Sequence, residues 1–267
     1  MISLTSVEKS FPDNQVLRDI SFDIQRGERV SLTGPGGCGK TLILKILLGL
    51  VKADRGDVYL YDQDMTTASA SEKEAVMKKT GMAFQQGGLF DFMSVRENIE
   101  FAMKHMTDYS PEYMLKRCQQ LLEGVRLAKT ENMYPHELSG GMKRRVGIAR
   151  ALCTDPVIAL FDEPTSGLDP VTSTIILNMI QDLAGKEGHD KTLLIATSNV
   201  EIAVRFAERV IVLNEGTVVA DGLWRDLLLN GPEWVRHFLG VRFIGLDLEY
   251  ARELKLPEEF IRQHWNF

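Results

Sequence analysis

The chain has 267 residues, 44% of them hydrophobic, and a formal net charge of -6, which suits one elaborated α/β domain, or a core with a subdomain, better than two independent domains. The acidic balance, with no basic stripe beyond Lys143-Arg144-Arg145, speaks against nucleic acid as a partner. No apolar run approaches the ~18 residues needed to cross a bilayer and the start, MISLTSVEKSF, lacks the basic-then-apolar order of a secretion signal, so a soluble, cytoplasmic protein is expected.

Residues 1 to 33 alternate apolar and polar positions, with turns at Pro12-Asp13-Asn14 and Arg26-Gly27-Glu28, and predict antiparallel strands. Arg29 to Thr33 reads as a buried strand and Leu42 to Leu50 as a helix. Between them Gly34, Pro35, Gly36, Gly37, Cys38, Gly39, Lys40 and Thr41 match G-x-x-x-x-G-K-[ST]. Glycines turn successive backbone N–H groups toward one point and the helix N-terminus adds partial positive charge, so this loop, through Leu42, is shaped to hold a polyphosphate. Lys40 is expected to reach the β and γ phosphates and Thr41 to supply a magnesium ligand. Cys38 is either a small loop residue or a thiol made sensitive to oxidation by the helix end. With Cys118 and Cys153 it has no metal-ligand spacing, which fits a reducing compartment, and the five histidines (His105, His136, His189, His237, His264) are equally scattered.

Asp57 to Tyr61 predicts another strand, the stretch after Ala68 a helix, and Thr80 to Phe84 a strand. Met93 to Gly124 carries helical spacing interrupted near Ser110-Pro111 and reads as a helical insert. Ser139, Gly140 and Gly141 then open a further helix whose N-terminus is again shaped to meet an anion. Val157 to Phe161 is a buried strand running into Asp162-Glu163, which places two carboxylates at a strand's carboxyl end, where open α/β sheets bind ligands. Asp162 is expected to hold magnesium and Glu163 to polarise the attacking water. Strands at 193 to 197 and 210 to 214 alternate with helices at about 173 to 185 and 201 to 208, the order of a parallel sheet covered by helices. Residues 223 to 267 form a tail in which Trp234, Val235, Phe238 and Leu239 fall at helical spacing and a second amphipathic piece ends in Ile261, His264, Trp265 and Phe267.

One nucleotide has no use for two glycine-opened helix ends from the same subunit. Here the chain resembles the ATP-binding-cassette (ABC) family, in which the signature segment of one subunit closes on phosphates bound by the other. The resemblance covers about residues 1 to 222 and includes the phosphate loop, Phe161-Asp162-Glu163-Pro164, and Thr165-Ser166-Gly167-Leu168-Asp169, which looks like the family's dimer-contact loop. It implies a P-loop NTPase, RecA-like, with a mostly parallel α/β core, an N-terminal antiparallel β subdomain and a helical insert at about 86 to 150. It further implies ATP and Mg2+ as cofactors, a homodimer, and an integral membrane permease subunit on the cytoplasmic face of the inner membrane that places a short helix beside Gln85. Gln85 matches the glutamine that contacts magnesium and senses the transport partner. Phe11 matches the aromatic that stacks on adenine, with a core phenylalanine on an edge strand as its alternative. Within the family, Phe84-Gln85-Gln86-Gly87-Gly88-Leu89-Phe90-Asp91-Phe92-Met93-Ser94-Val95 looks most like the lipid-transport ATPases of the Mla/Mce group. An osmoprotectant or amino-acid importer and a hydrolysis-poor, ATP-gated scaffold stay open as alternatives. Chromosome and repair ATPases need a long coiled coil between phosphate loop and signature, and only roughly 100 residues without sustained heptads separate them here. In lipid-transport relatives such tails contact the twin subunit or an accessory cytoplasmic subunit; packing on the chain's own core is the alternative for 223 to 267.

One departure stands out. Where the family presents a histidine that touches the γ-phosphate and helps hold the glutamate, the chain reads Thr197-Ser198-Asn199. A hydroxyl on one carbon cannot span that gap or carry an imidazolium charge, so slow or partner-gated hydrolysis is expected while nucleotide binding survives. If the side chain at this position limits turnover, Ser198→His raises phosphate release by up to ~10²–10³-fold; a brisk parent rate unchanged by the histidine contradicts this.

Overall fold

The computed structural model describes residues 1–184, 191–244 and 246–265. The chain begins with a long hairpin, β1 (Ile2–Phe11) and β2 (Asn14–Ile24), and then enters β3 (Arg29–Thr33), the phosphate loop and α1 (Lys40–Leu47). The helix starts two residues earlier than the periodicity suggests, because Lys40 and Thr41 form its first turn. It stops at Leu47, and Gly49 follows in the left-handed region with φ of 66°.

β4 (Arg55–Leu60) returns to flank β1, and the two-residue β5 (Gln63–Asp64) pairs with β4. α2 (Ala70–Met77) leads to β6 (Thr80–Ala83), and the expected insert resolves into α3 (Val95–Met106), α4 (Pro111–Gly124) and α5 (Gly140–Leu152). Ser94 and Ser110 cap α3 and α4 by accepting the N–H of Glu97 and Tyr113, and Pro111 sits in the first turn of α4, where a missing N–H costs nothing. Thereafter β7 (Ile158–Asp162), α6 (Pro170–Ala184), β8 (Thr192–Thr197), α7 (Val200–Phe206) and β9 (Arg209–Asn214) alternate as the sequence predicts. The end expected for α6 at residue 185, together with His189 and Phe267, lies outside the described residues.

Among the described residues ten strands form one sheet in the order β5-β4-β1-β2, then β10 (Thr217–Leu223), then β9-β3-β8-β7-β6. The last five are mutually parallel, so their carboxyl ends share one edge. The sequence pattern does not predict β10. It pairs antiparallel with β9 across a tight turn at Glu215-Gly216 and meets β2 at the single pair Thr217 and Asp19, joining the antiparallel and parallel halves.

Alternate residues of each central strand face different cores, as the pleat requires. Ala159, Phe161, Leu193 and Ile195 pack under α3 to α6, whereas Ile158, Leu160, Leu194 and Ala196 pack on α1 and the antiparallel strands. The helical insert and the sheet therefore share one core. On the far side Val210 and Val212 of β9, with Val200 and Val204 of α7, meet the tail. The tail contains α8 (Trp224–Asn230), α9 (Glu233–Gly240), α10 (Leu248–Glu253) and α11 (Glu258–His264), two helices more than its amphipathic spacing suggests. Val235, Leu239 and Ile261 are buried in this third core, while Trp234 stays 39% exposed and stacks on Phe238. Among the described residues no helix is long and apolar enough to cross a membrane.

Arg209 fastens the junction between the sheet halves. Its guanidinium donates to Glu28 at 3.0 Å, to both carboxylate oxygens of Asp221 at 2.8 Å and to the Asp23 carbonyl at 2.8 Å. Those charge-assisted bonds raise its pKa above the ordinary arginine value, Asp221 contributing most. Arg209→Ala is expected to lower stability by about 2 kcal/mol in urea unfolding, since it strips two carboxylates and a carbonyl of their donor at once. A loss below about 0.5 kcal/mol, the range of ordinary surface changes, contradicts that role.

Candidate nucleotide site

The parallel strands deliver three short segments to one edge of the sheet: the loop after β3, the Asp162-Glu163 pair ending β7, and Thr197-Ser198 ending β8. Gly34 starts the loop where no side chain fits, since a Cβ there would lie 2.2 Å from the Leu213 carbonyl oxygen. Gly39 takes φ of 109°, and its Cβ would meet Leu17 at 2.5 Å. The chain winds around Lys40, which is 6% exposed and donates to the carbonyls of Gly34 and Pro35, each at 2.9 Å. Cys38, buried and free, has its sulfur 3.8 Å from the same ammonium.

Thr41 links the loop to the acidic pair, its hydroxyl donating to Asp162 Oδ1 at 2.9 Å. Burial pushes the Asp162 carboxyl above the usual aspartate range, and the adjacent Glu163 adds to the shift; the Thr41 hydroxyl, Lys45 and Lys40 work against it. Glu163 leaves the strand in the left-handed region, with φ of 44°, and donates its N–H to the Ala196 carbonyl at 2.8 Å. Both of its carboxylate oxygens are held from β8. Oε1 accepts the Ser198 N–H at 2.7 Å, and Oε2 accepts the Thr197 hydroxyl at 3.1 Å. Ser198 thus grips the glutamate through its backbone, and the side-chain donor is Thr197, which the sequence reading passed over. The signal was present: a hydroxyl residue ends the strand one position before the unusual serine.

A cleft of about 540 Å³ opens above these groups. Gly36, Gly37, Gly39, Lys40, Thr41 and Leu42 form one wall, and Gln85, Glu163 and Ser198 border it, with Ser166 of the Thr165-to-Asp169 loop and with Lys45, which was not singled out from sequence. Gly34, Pro35, Cys38 and Asp162 do not line the cleft; the first two hold Lys40 and the last holds Thr41. Phe11 stands at the rim, 48% exposed on a strand paired on both flanks, which removes the edge-strand core alternative.

Ser139, Gly140 and Gly141 stay apart from the cleft. Ser139 caps α5, accepting the Met142 N–H at 3.2 Å, with its glycine neighbour Gly140 exposed. The Gln85 turn is bolted to that helix: Arg144 donates to the Gln85 carbonyl at 2.9 Å and Arg150 to the carbonyls of Gly87 and Gly88 at 3.0 and 2.8 Å. The backbones are so close that a Cβ on Gly147 would lie 2.9 Å from Gly87.

The Thr41 hydroxyl, Asp162 carboxylate and Gln85 amide are hard oxygen donors. Their small number fits Mg2+, which keeps water and phosphate oxygens in its shell. No cluster of three or more His, Cys, Asp or Glu among the described residues offers a softer or fully caged metal site.

Comparison with known proteins agrees with this geometry, for residues 17–166 match the ABC transporter family model. The chain belongs to the ABC transporter ATPases. It is 36% identical over 252 residues to the chloroplastic protein trigalactosyldiacylglycerol 3 of Arabidopsis thaliana, covering 89% of this chain and 73% of that one. It is 37% identical over 222 residues to the methionine import ATP-binding protein MetN of Rhizobium johnstonii, covering 83% and 60%. Its fold is similar, with TM-score 0.77 and 32% identity over 84% of this chain and 98% of the other, to a dimeric post-hydrolysis state of the ATP-binding cassette MJ0796 bound to ADP and Pi. As a cassette ATPase it binds ATP with Mg2+ and hydrolyses it.

If Thr197 aims Glu163, Thr197→Val lowers kcat by about tenfold while leaving KM for ATP within about twofold, and Thr197→Ser restores the parent rate. Equal rates for the valine and parent chains contradict the assignment.

Proposed function

We propose that the chain is the motor of a lipid transporter, working as a homodimer against an integral membrane permease on the cytoplasmic face of the inner membrane. In this reading ATP lies between the Lys40 loop of one copy and the Ser139 turn of the other. Asp162, Thr41 and Gln85 hold magnesium, Phe11 stacks on the base, and Glu163 polarises the water. The observation that carries it is the separation within one chain of a complete phosphate cleft from an exposed, serine-capped helix end. Binding at that end then becomes the event that closes two copies.

Support for a permease contact comes from an apolar groove of about 370 Å³ lined by Leu50, Phe84, Phe90, Phe101 and Met106 among others. It lies beside the Gln85 turn, and Phe92, 75% exposed, projects from the same segment. An amphipathic helix laid in that groove would press on the turn that Arg144 and Arg150 tie to α5, so its movement reaches the signature end. The lipid cargo rests on the Gly-Leu-Phe segment at 88 to 90 and on a relative named for a galactoglycerolipid. Amino-acid import is the second reading, favoured by relatives of equal identity named for methionine and amino-acid transport. The exposed Trp234 side of the tail is left for the twin subunit or an accessory protein.

Glu163→Gln is expected to reduce turnover by about 10²–10⁴-fold and, with Mg-ATP, to elute as a dimer, because a closed state that cannot hydrolyse accumulates. A monomer under those conditions contradicts the clasp. Purification from membranes with bound subunits then separates the cargo readings: a permease with a lipid-binding partner supports the first, and an amino-acid receptor overturns it.

A further inference from the structure

Tyr250 belongs to the tail, on α10, yet its hydroxyl lies between two charged side chains of α7. It donates to the Glu201 carboxylate and accepts from Arg205 Nη2 at 2.7 Å. The Arg205 guanidinium also covers the Tyr250 ring, 5.1 Å from its centroid, and lies 3.7 Å from Glu253 on α10. Its Nε approaches Glu201 to 3.4 Å without hydrogen-bond geometry, so the phenol supplies the directed bond between the two ends of this face. Burial, then Glu201, pushes the Tyr250 phenol up to about 12, so it keeps its proton and remains a donor at neutral pH.

α7 is a helix of seven residues that begins two residues after Ser198, with Asn199 between them. Asn199 caps it by accepting the Ile202 N–H at 3.3 Å, and its own N–H donates to the Thr197 hydroxyl at 3.1 Å. That hydroxyl in turn donates to Glu163. The inner face of α7 is fixed to β3 by the buried bond from the Ser31 hydroxyl to the Ala203 carbonyl at 2.8 Å. Its outer face is fixed by Tyr250. A second arm runs from Arg205 Nη1 to the Thr174 hydroxyl at 3.2 Å, on α6, the helix that Asp169 of the dimer-contact loop opens. So short a helix, joined through its Asn199 cap to the two residues that hold Glu163, takes its tilt from whatever grips its two faces.

We propose that Tyr250 is a positioning residue for Glu163, and that the tail thereby forms part of the hydrolytic unit of its own chain. The inference rests on the reading of Glu163 as the carboxylate that polarises water. It assigns α10 a role within one subunit, separate from any contact α9 makes with another.

The test is a double-mutant cycle on the full-length chain, measuring steady-state ATPase activity together with Mg-ADP affinity by calorimetry. Tyr250→Phe keeps the ring beneath Arg205 and removes only the hydroxyl. It is expected to lower kcat about five- to tenfold, with KM for ATP and Mg-ADP affinity within about twofold. In a Thr197→Val background the same change is expected to cost less than about twofold, because the relay is already cut. Glu201→Ala breaks the same bond from the α7 side and must show the same kcat loss, which keeps the proposal testable if the tyrosine variant folds poorly. An unchanged kcat in either variant, a parallel loss of Mg-ADP affinity, or fully multiplicative effects with Thr197→Val overturn it. Full turnover in Glu163→Gln would instead remove the underlying role of Glu163, a result distinguishable from failure of the relay.

Discussion

A carboxylate polarises water productively only when it is aimed, and in this chain the aim of Glu163 is set by the end of β8. Both of its oxygens are taken by donors from consecutive residues, a threonine hydroxyl and a serine amide. The arrangement requires that β3, β8 and β7 run parallel and side by side, so that loop lysine, donors and acids emerge on one edge. Alternating burial of those strands between two apolar cores keeps their register, since a slip of one residue would exchange the faces of every strand side chain.

Two helices are tied to this edge. α5 bears the Ser139 turn at its start and clasps the Gln85 turn along its side, with glycine at both points of closest backbone approach. α7 begins at Val200, behind the Asn199 cap, and is gripped on opposite faces by β3 and the tail. In the proposed reading, rigid, short-range packing of this kind would pass a shift at the apolar groove beside Phe84 to the Ser139 end of α5, because packed elements move as units rather than deform.

The phosphate loop and the acidic pair were legible in the sequence because their chemistry is local: glycine, lysine and threonine at fixed offsets, and carboxylates ending an apolar strand. The central parallel sheet was legible for the same reason, through apolar strands alternating with helical periods. β10 escaped notice since Thr217 to Leu223 is only partly buried and mixes Asp221 and Gly222 into its apolar pattern. The grip on Glu163 was misjudged for a different reason. The residue pattern shows the side chain at position 198, whereas the bonds come from that residue's backbone, a main-chain donor that no glycine marks here, and from Thr197. α8 and α10 are short, and their buried residues Trp224, Leu228 and Ala251 are held by the third core rather than by a helical period of their own.

In the proposed closed state Glu163, aimed by Thr197 and Ser198, faces a terminal phosphate enclosed by two copies of the chain. The most direct test is a crystal structure of the chain with Mg-ATP under non-hydrolysing conditions. Ser139 of the partner subunit is expected against the terminal phosphate, with the glutamate still bonded to the Thr197 hydroxyl and the Ser198 amide. A partner Ser139 turned away from the phosphate, or a Glu163 released from both donors, would contradict it.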